Sequence, residues 1–271
     1  MSVLTRTIDD ARRIWWCCED YDEDDVYAKF MPTRPRAIHA VGPQSTKFRF
    51  GVPPAYALDQ CDPVYRKKFA EAVEYLKSID GEPAPIDWEP FEKGGELLYH
   101  RSFVSERIAA LPDGWLEKNR EHLHPVIREL FERVTARQST AIDAYRDLMA
   151  KAQYTRQIEK AFRAGPGGID ILVVPSCPIQ WTIEEVHADP IGSNMHLGYF
   201  AHFANVLDMA AIALPAGTYS VGDLGKRIPQ GADAASLASQ LPFSVTILGL
   251  CGTDSDLFKI AKRFEKAVAS R

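Results

Sequence analysis

Between residues 168 and 217, the pattern of apolar and polar positions predicts two strands joined by a polar segment. Residues 169–174 form a short apolar run that ends at Pro175, and residues 209–214 form a second run that Pro215 and Gly217 close. Uninterrupted apolar runs of this length are typical of strands buried on both faces. A helix is predicted at about 197–207. The polar side chains between the strands are His187, Asp189, Ser193, Asn194 and His196.

These polar side chains indicate a ligand site. An open α/β sheet binds its ligands in the crevice beyond the ends of its strands, where a few polar groups converge. An ordinary crossover between two core strands explains the apolar runs equally well. It does not account for the histidines and amides in the connecting segment, so both interpretations stay open on pattern alone.

Periodicity and capping signals predict the remaining elements. Thr7 is a candidate N-cap for the first helix, Asp62 and Pro63 begin a strongly amphipathic helix, and Asp254 is a candidate cap for the last helix. An acidic, proline-rich connector is predicted from 20 to 45. The other predicted helices and strands are helices at 7–19, 62–79 and 91–111, two helices within 115–153 with a break at about 137–140, a helix from 254 onwards, and strands at 47–52, 85–88 and 241–250.

Strands that alternate with helices predict an α/β fold, with a mixed, mostly parallel sheet flanked by helices. The sequence shows no internal repeat, and no linker isolates the long helical stretch in the middle of the chain. Residues 1–271 are therefore predicted to form a single domain that carries a helical lobe at about 91–153.

Composition and charge narrow the classes of function. The chain is 46% hydrophobic and 25% charged, with a net charge of −5, which is typical of a globular protein and disfavours nucleic acid as a partner. No apolar run is long enough to span a membrane, and the N-terminus lacks the apolar core of a signal peptide, so we expect a cytoplasmic protein. The five cysteines lack the spacing of a zinc site, and we predict neither a metal nor a cofactor.

Several segments resemble the amidase-signature family, and its allophanate hydrolase branch in particular. They are GIDILVVPSCP, TIEEVHADPIGSN, LGYFAHFANVLDMAAIALPAG and LPFSVTILG, together with the earlier KFRFGVPP and LLYHRSFVSERIAAL. The resemblance covers nearly the whole chain and implies a partial amidase-signature fold, its C-terminal half. In that family a serine nucleophile, a bridging serine and a lysine base lie in the N-terminal half, in and near a Gly/Ser-rich stretch. This sequence has no such stretch, so we expect a truncated protein that is inactive as an amidase by itself.

One pair of ligand-binding residues is implied by the resemblance. In allophanate hydrolases a tyrosine and an arginine eight positions later, on one helix, hold the carboxylate and ureido groups of the substrate, and Tyr99 and Arg107 match that motif. A guanidinium can bind a carboxylate through two hydrogen bonds, and a spacing of eight returns two side chains to nearly one helix face. Asn194, in the polar segment, is the third predicted substrate-binding residue. The alternative is that Arg107 pairs with Glu92 or Glu106 and Tyr99 only packs.

Two histidines depart from the family pattern. The family usually has an arginine at the position of His196 and an asparagine at the position of His202, each near its reaction cleft. Histidine exchanges a proton near neutral pH, so His196 and His202 are the candidate catalytic residues. The same departures are equally typical of drift in a site that no longer works.

Three functions follow from these observations. The first is a truncated amidase-family protein that keeps a pocket for a small carboxylated, ureido or amide ligand and needs another polypeptide for catalysis. The second is a stand-alone enzyme that uses His196 or His202 as acid or base on a small molecule. The third is a non-catalytic scaffold. Loss of part of the family's sheet would leave a strand edge bare, so the expected partner is a second copy of the chain or a complementary amidase-half polypeptide.

Overall fold

The computed structural model describes residues 2–28, 47–162, 168–228, 231 and 233–270. Most of the connector predicted at 20–45 lies outside the described residues. Contacts between residues group the chain into two compact units. Unit 1 comprises Met1–Ile86, Ala161–Ser176 and Met209–Arg271, and unit 2 comprises Asp87–Lys160 and Cys177–Asp208. The single domain stays a prediction.

The secondary structure combines short and long strands with helices of very different lengths. The strands are β1 (Phe48–Gly51), β2 (Gly81–Ala84), β3 (Ile171–Pro175), β4 (Met209–Ser220) and β5 (Gln240–Leu250). The α-helices are α1 (Ile8–Cys18), α2 (Ala55–Leu58), α3 (Pro63–Ser78), α4 (Glu89–His100), α5 (Ser105–Ala109), α6 (Trp115–Asn119), α7 (Pro125–Ala136), α8 (Ala141–Ala161), α9 (Ile183–Ala188), α10 (Pro190–Leu197), α11 (His202–Val206), α12 (Ala234–Ala238) and α13 (Asp254–Ala269). Short 3-10 helices span Ser102–Val104, Arg120–His122 and Val221–Arg227.

Unit 1 contains the sheet, whose strand order is β2-β1-β3-β5-β4. β1 is parallel to both β2 and β3, whereas β5 is antiparallel to both β3 and β4. Four of the five strands therefore point the same way, and β5 alone runs against them. The predicted mixed, mostly parallel sheet flanked by helices is confirmed.

The two apolar runs that predicted buried strands have different positions in the sheet. β3 lies between β1 and β5, and all five of its residues are buried, as the sequence predicts. β4 lies at the end of the strand order and its burial is mixed along its length, so the prediction of a second fully buried strand is wrong. It is also longer than predicted and passes an irregularity between Pro215 and Thr218, where Gly217 has a φ of +113°. Proline has no N–H to donate. It is tolerated on an edge strand because one side of that strand has no neighbouring strand to accept a hydrogen bond.

Amphipathic helices cover the apolar residues of unit 1. α3 and α13 bury one face each, including Phe69 and Leu76 on α3 and Phe264 on α13. The Thr7 N-cap is confirmed, because its side chain accepts a hydrogen bond from the backbone N–H of Asp10. The predicted Asp254 cap is wrong: Thr253 is the N-cap residue, and Asp254 is the first residue of the helix.

The strand predicted at 85–88 is also wrong, because the strand of this region is β2. β2 pairs with β1 in the register Phe48 to Gly81 and Gly51 to Ala84, so the pairing begins directly after α3 and ends before Pro85.

Unit 2 contains the helices α4 to α11. The break predicted at about 137–140 is confirmed, since α7 ends at Ala136 and α8 begins at Ala141. The single helices predicted at 91–111 and 197–207 are wrong. The first region is divided into α4, a 3-10 turn and α5, and the second into the end of α10 and α11.

α4 and α11 approach each other closely at two glycines. The two glycines, Gly94 and Gly95, lie inside α4. A Cβ on Gly94 would lie 2.6 Å from Cδ1 of Leu207, and Gly95 faces the backbone N of Phe203 and the Cβ of His202. The absence of a side chain at Gly94 therefore allows α11 and the following Leu207 to pack directly on α4. This contact brings His202 to the side of α4 that carries Tyr99.

Candidate functional site

Tyr99 and Arg107 lie on opposite sides of a break between two helices. Tyr99 is in the last turn of α4, and Arg107 is in α5. Arg101 between them is extended, with φ −123° and ψ −159°, so the prediction that both residues share one helix is wrong. In an unbroken helix eight residues advance about 12 Å along the axis. Here the guanidinium carbon of Arg107 lies 5.9 Å from the centroid of the Tyr99 ring.

Arg107 forms no ion pair with any described residue. Neither Glu92 nor Glu106, the alternative partners, is in a salt bridge with it, and Oε1 of Glu92 accepts a hydrogen bond from the hydroxyl of Tyr199 at 2.7 Å. The guanidinium is exposed rather than buried. Water therefore solvates it, and Arg107 does not carry the cost of a buried, unpaired charge. Its contact with Tyr99 is a cation–π interaction, which leaves the N–H donors on the guanidinium edge available to an anion.

His202 lies against the same tyrosine. The centroids of the two rings are 5.0 Å apart, and the ring planes meet at 62°. Gly198 provides the space on the other side of the imidazole, since a Cβ at that position would overlap the His202 ring. Partial burial lowers the pKa of His202, and the charge of His100 lowers it further. The imidazole is therefore neutral at pH 7, when one ring nitrogen can donate and the other accept.

The other two predicted residues have different surroundings. Asn194, exposed on α10, has its side-chain amide nitrogen 3.4 Å from the Tyr99 hydroxyl, at the long limit of a hydrogen bond. His196 is on the same helix and its ring packs against Trp181, with 5.5 Å between centroids. The structure thus places Tyr99, Arg107, His202 and Asn194 in one cluster, which we call the Tyr99 cluster.

Two residues that the sequence did not predict support this cluster. Arg137 donates from Nη1 to the carbonyl oxygens of Tyr99 at 2.7 Å and Arg101 at 3.4 Å. Asp147 accepts from the backbone N–H of Ser102 at 2.9 Å and from its hydroxyl at 2.7 Å. One signal was available for Asp147: it lies three helical turns before Ile158, on the buried side of α8, where a carboxylate is unexpected.

Two further observations bear on the kind of site. The described residues contain no group of three or more His, Cys, Asp and Glu side chains arranged to hold a metal ion. In the described part of the chain, every helix is too short or too polar to cross a lipid bilayer.

Comparisons with known proteins assign the family. The model of the family described as Amidase matches residues 1–258. The urea amidolyase of Lachancea kluyveri is 28% identical over 268 residues, which are 98% of this chain and 13% of that protein. The amidase of Pseudomonas putida is 26% identical over 230 residues, which are 79% of this chain and 45% of that one.

Solved structures show the same fold. The structure of Kluyveromyces lactis allophanate hydrolase matches with a TM-score of 0.74 at 22% identity, covering 97% of this chain and 38% of that one. The chain thus spans less than half the length of each of these relatives. Since the family model covers nearly all of its 271 residues, the chain belongs to the amidase family.

Proposed function

We propose that this chain supplies the ligand-holding part of an allophanate hydrolase-like amidase site. Arg107 binds the carboxylate of a small linear ureido or amide compound, Tyr99 lies beside the bound group, and Asn194 donates to its carbonyl. The observation that carries the proposal is the exposed Arg107 guanidinium, which stands 5.9 Å from the Tyr99 ring and has no ion-pair partner among the described residues. A guanidinium held in place by an aromatic ring presents a planar pair of donors that matches a carboxylate.

Hydrolysis requires groups that the 271 residues do not supply. Acyl transfer needs an activated nucleophile and a base, which in this family are two serines and a lysine in and near a Gly/Ser-rich stretch, and this sequence has no such stretch. We therefore propose that residues outside this sequence provide them, from a complementary amidase-half polypeptide, and that the chain alone is inactive as an amidase. A second copy of the chain is the alternative partner.

Calorimetry with ureidoacetate tests the binding proposal, with the neutral amide propionamide as a matched ligand that lacks the carboxylate. Ureidoacetate is expected to bind and propionamide to bind more weakly. Loss of a charge-assisted bidentate pair costs about 1.5–3 kcal/mol, so Arg107→Ala is expected to weaken ureidoacetate binding roughly 10- to 100-fold. Arg107→Lys keeps the positive charge but cannot form the paired hydrogen bonds of a guanidinium. Its affinity for ureidoacetate is expected to lie between those of Arg107→Ala and the unchanged chain.

Arg146→Ala is the matched control, because Arg146 is an exposed arginine of the same unit, 3.7 Å from Asp143. It is expected to bind ureidoacetate like the unchanged chain. Equal dissociation constants for Arg107→Ala and Arg146→Ala would contradict the proposal and favour a non-catalytic scaffold.

A stand-alone enzyme is the second candidate function. The position of His202 makes this residue, rather than His196, the candidate acid or base. A neutral imidazole 5.0 Å from the Tyr99 ring is close enough to exchange a proton with a ligand held there. This function requires that His202→Ala abolish turnover of a ureido or amide compound while leaving its binding intact, because a general acid or base acts mainly on the transition state. Binding without turnover in the unchanged chain excludes it.

A further inference from the structure

Asp147 is buried at 7% exposure, and no other charged residue in the described part of the chain is buried to this degree. Within the described residues, both of its hydrogen bonds come from Ser102, whose backbone N–H and hydroxyl donate to the same carboxylate oxygen. Removing a carboxylate from water is costly unless such donors replace the water. A buried charge that is satisfied by a single distant residue fixes the position of that residue strongly.

Ser102 is the first residue after the extended Arg101, where the chain leaves α4. On the other side of this break, Arg137 donates to the carbonyl oxygens of Tyr99 and Arg101. The hydrogen bonds of Asp147 and Arg137 replace the intrahelical bonds that an unbroken helix would make across this position. The sequence from Glu96 to Leu111 contains neither glycine nor proline, so no local stop signal ends α4 there.

We propose that Asp147 is a positioning residue for Arg107, and that it acts by holding Ser102 so that the chain turns back towards Tyr99. From Ser102 a 3-10 turn leads directly into α5, which carries Arg107 five residues later. Release of Ser102 frees this short segment from α8 and removes the guanidinium from the face of Tyr99. The inference rests on the proposed function, because the importance of the Arg107 position lies in ligand binding.

Four variants separate this role from a general contribution to stability. Asp147→Ala removes both acceptor bonds, Ser102→Ala removes only the hydroxyl bond, and Asp147→Asn keeps an oxygen that accepts both. Ile158→Ala is the control, since Ile158 is 1% exposed on the same helix, three turns away from the break. It lowers stability by creating a cavity and leaves Ser102 untouched.

Two measurements are made on each variant. The first is the NMR shift of the Arg107 Nε–H, which the Tyr99 ring displaces when the guanidinium lies against its face. The second is the dissociation constant for ureidoacetate. Asp147→Ala is expected to lose the ring-induced shift and to weaken binding about tenfold, the effect of losing one well-placed charge-assisted bond. For Ser102→Ala, both the shift and the affinity are expected to lie between those of Asp147→Ala and the unchanged chain.

The results for the other two variants also test whether Asp147 positions Arg107. Asp147→Asn is expected to restore both the shift and the affinity, and Ile158→Ala to lower the melting temperature with both unchanged. An unchanged Arg107 shift in folded Asp147→Ala overturns the inference. If Asp147→Ala does not fold, an unchanged shift in Ser102→Ala overturns it instead. If the unchanged chain does not bind ureidoacetate, the proposed function fails, while the NMR shift still decides whether Asp147 positions Arg107.

Discussion

The imidazole of His202 packs against the Tyr99 ring at 5.0 Å between centroids, although the two residues belong to different helices. The contact depends on the close packing of α11 on α4. Gly95 faces the Cβ of His202, and Gly94 faces the side chain of Leu207. Gly94 permits this close approach, which sets the distance between the histidine and the tyrosine.

Gly94→Ala is expected to destabilise the protein by about 1–3 kcal/mol, the usual cost of overpacking a core. The added Cβ would lie 2.6 Å from Cδ1 of Leu207, which is 2% exposed and enclosed on its other sides. The free energy of unfolding in urea measures the effect. Gly95→Ala is the matched control, because its nearest neighbour would be 3.5 Å away. A Cβ there meets ordinary contacts, and alanine favours a helix, so equal losses for the two variants would contradict the packing argument.

Acid is expected to weaken the structure around His202. Burial lowers its pKa in the folded chain below the ordinary 6.5, so the unfolded chain binds the proton more tightly. The contribution of His202 to stability is therefore complete above about pH 6.5 and is lost as the pH falls through the lowered pKa. His202→Asn removes this dependence, so the unchanged chain should lose free energy of unfolding relative to His202→Asn as the pH falls from about 7.5 to about 5. An NMR titration that places the His202 pKa at or above 6.5 would rule this out.

The isolated chain is expected to release no ammonia from allophanate or from simple amides. The reason is chemical: water attacks an amide very slowly without an activated nucleophile. A coupled ammonia assay on the purified chain measures this. Release that persists through purification and is abolished by Arg107→Ala or His202→Ala would show that the chain is an amide hydrolase by itself.

Association through a sheet edge is the fourth prediction. Among the described strands, β2 and β4 each pair with one neighbour only, and β4 is 12 residues long. Unpaired strand edges favour pairing with another chain, so we expect a dimer in light scattering at micromolar concentration. Ala213→Lys places a charge on the exposed part of β4 and is expected to shift the equilibrium towards the monomer. A monomeric unchanged chain would contradict the prediction.

The sequence by itself determined the features that depend on local pattern. The apolar run of β3, the amphipathic periods of α3 and α13, the Thr7 cap and the break between α7 and α8 all follow from residues close together in the chain. The motifs that resemble amidases are also local, and the family model that matches residues 1–258 confirms the family they indicate. Within such segments, side-chain spacing and capping alone favour one conformation.

The tertiary structure decided the features that depend on distant partners. Whether an apolar run is buried on both faces depends on its place in the sheet, so β3 is enclosed while β4 lies at the edge. α4 ends at His100 because Arg137 and Asp147, 36 and 45 residues from their partners Arg101 and Ser102, bind the backbone on either side of the break. Arg107 lies against Tyr99 only as a result of that break. Contacts between residues so far apart in sequence leave no local pattern, because the chain must fold before they form.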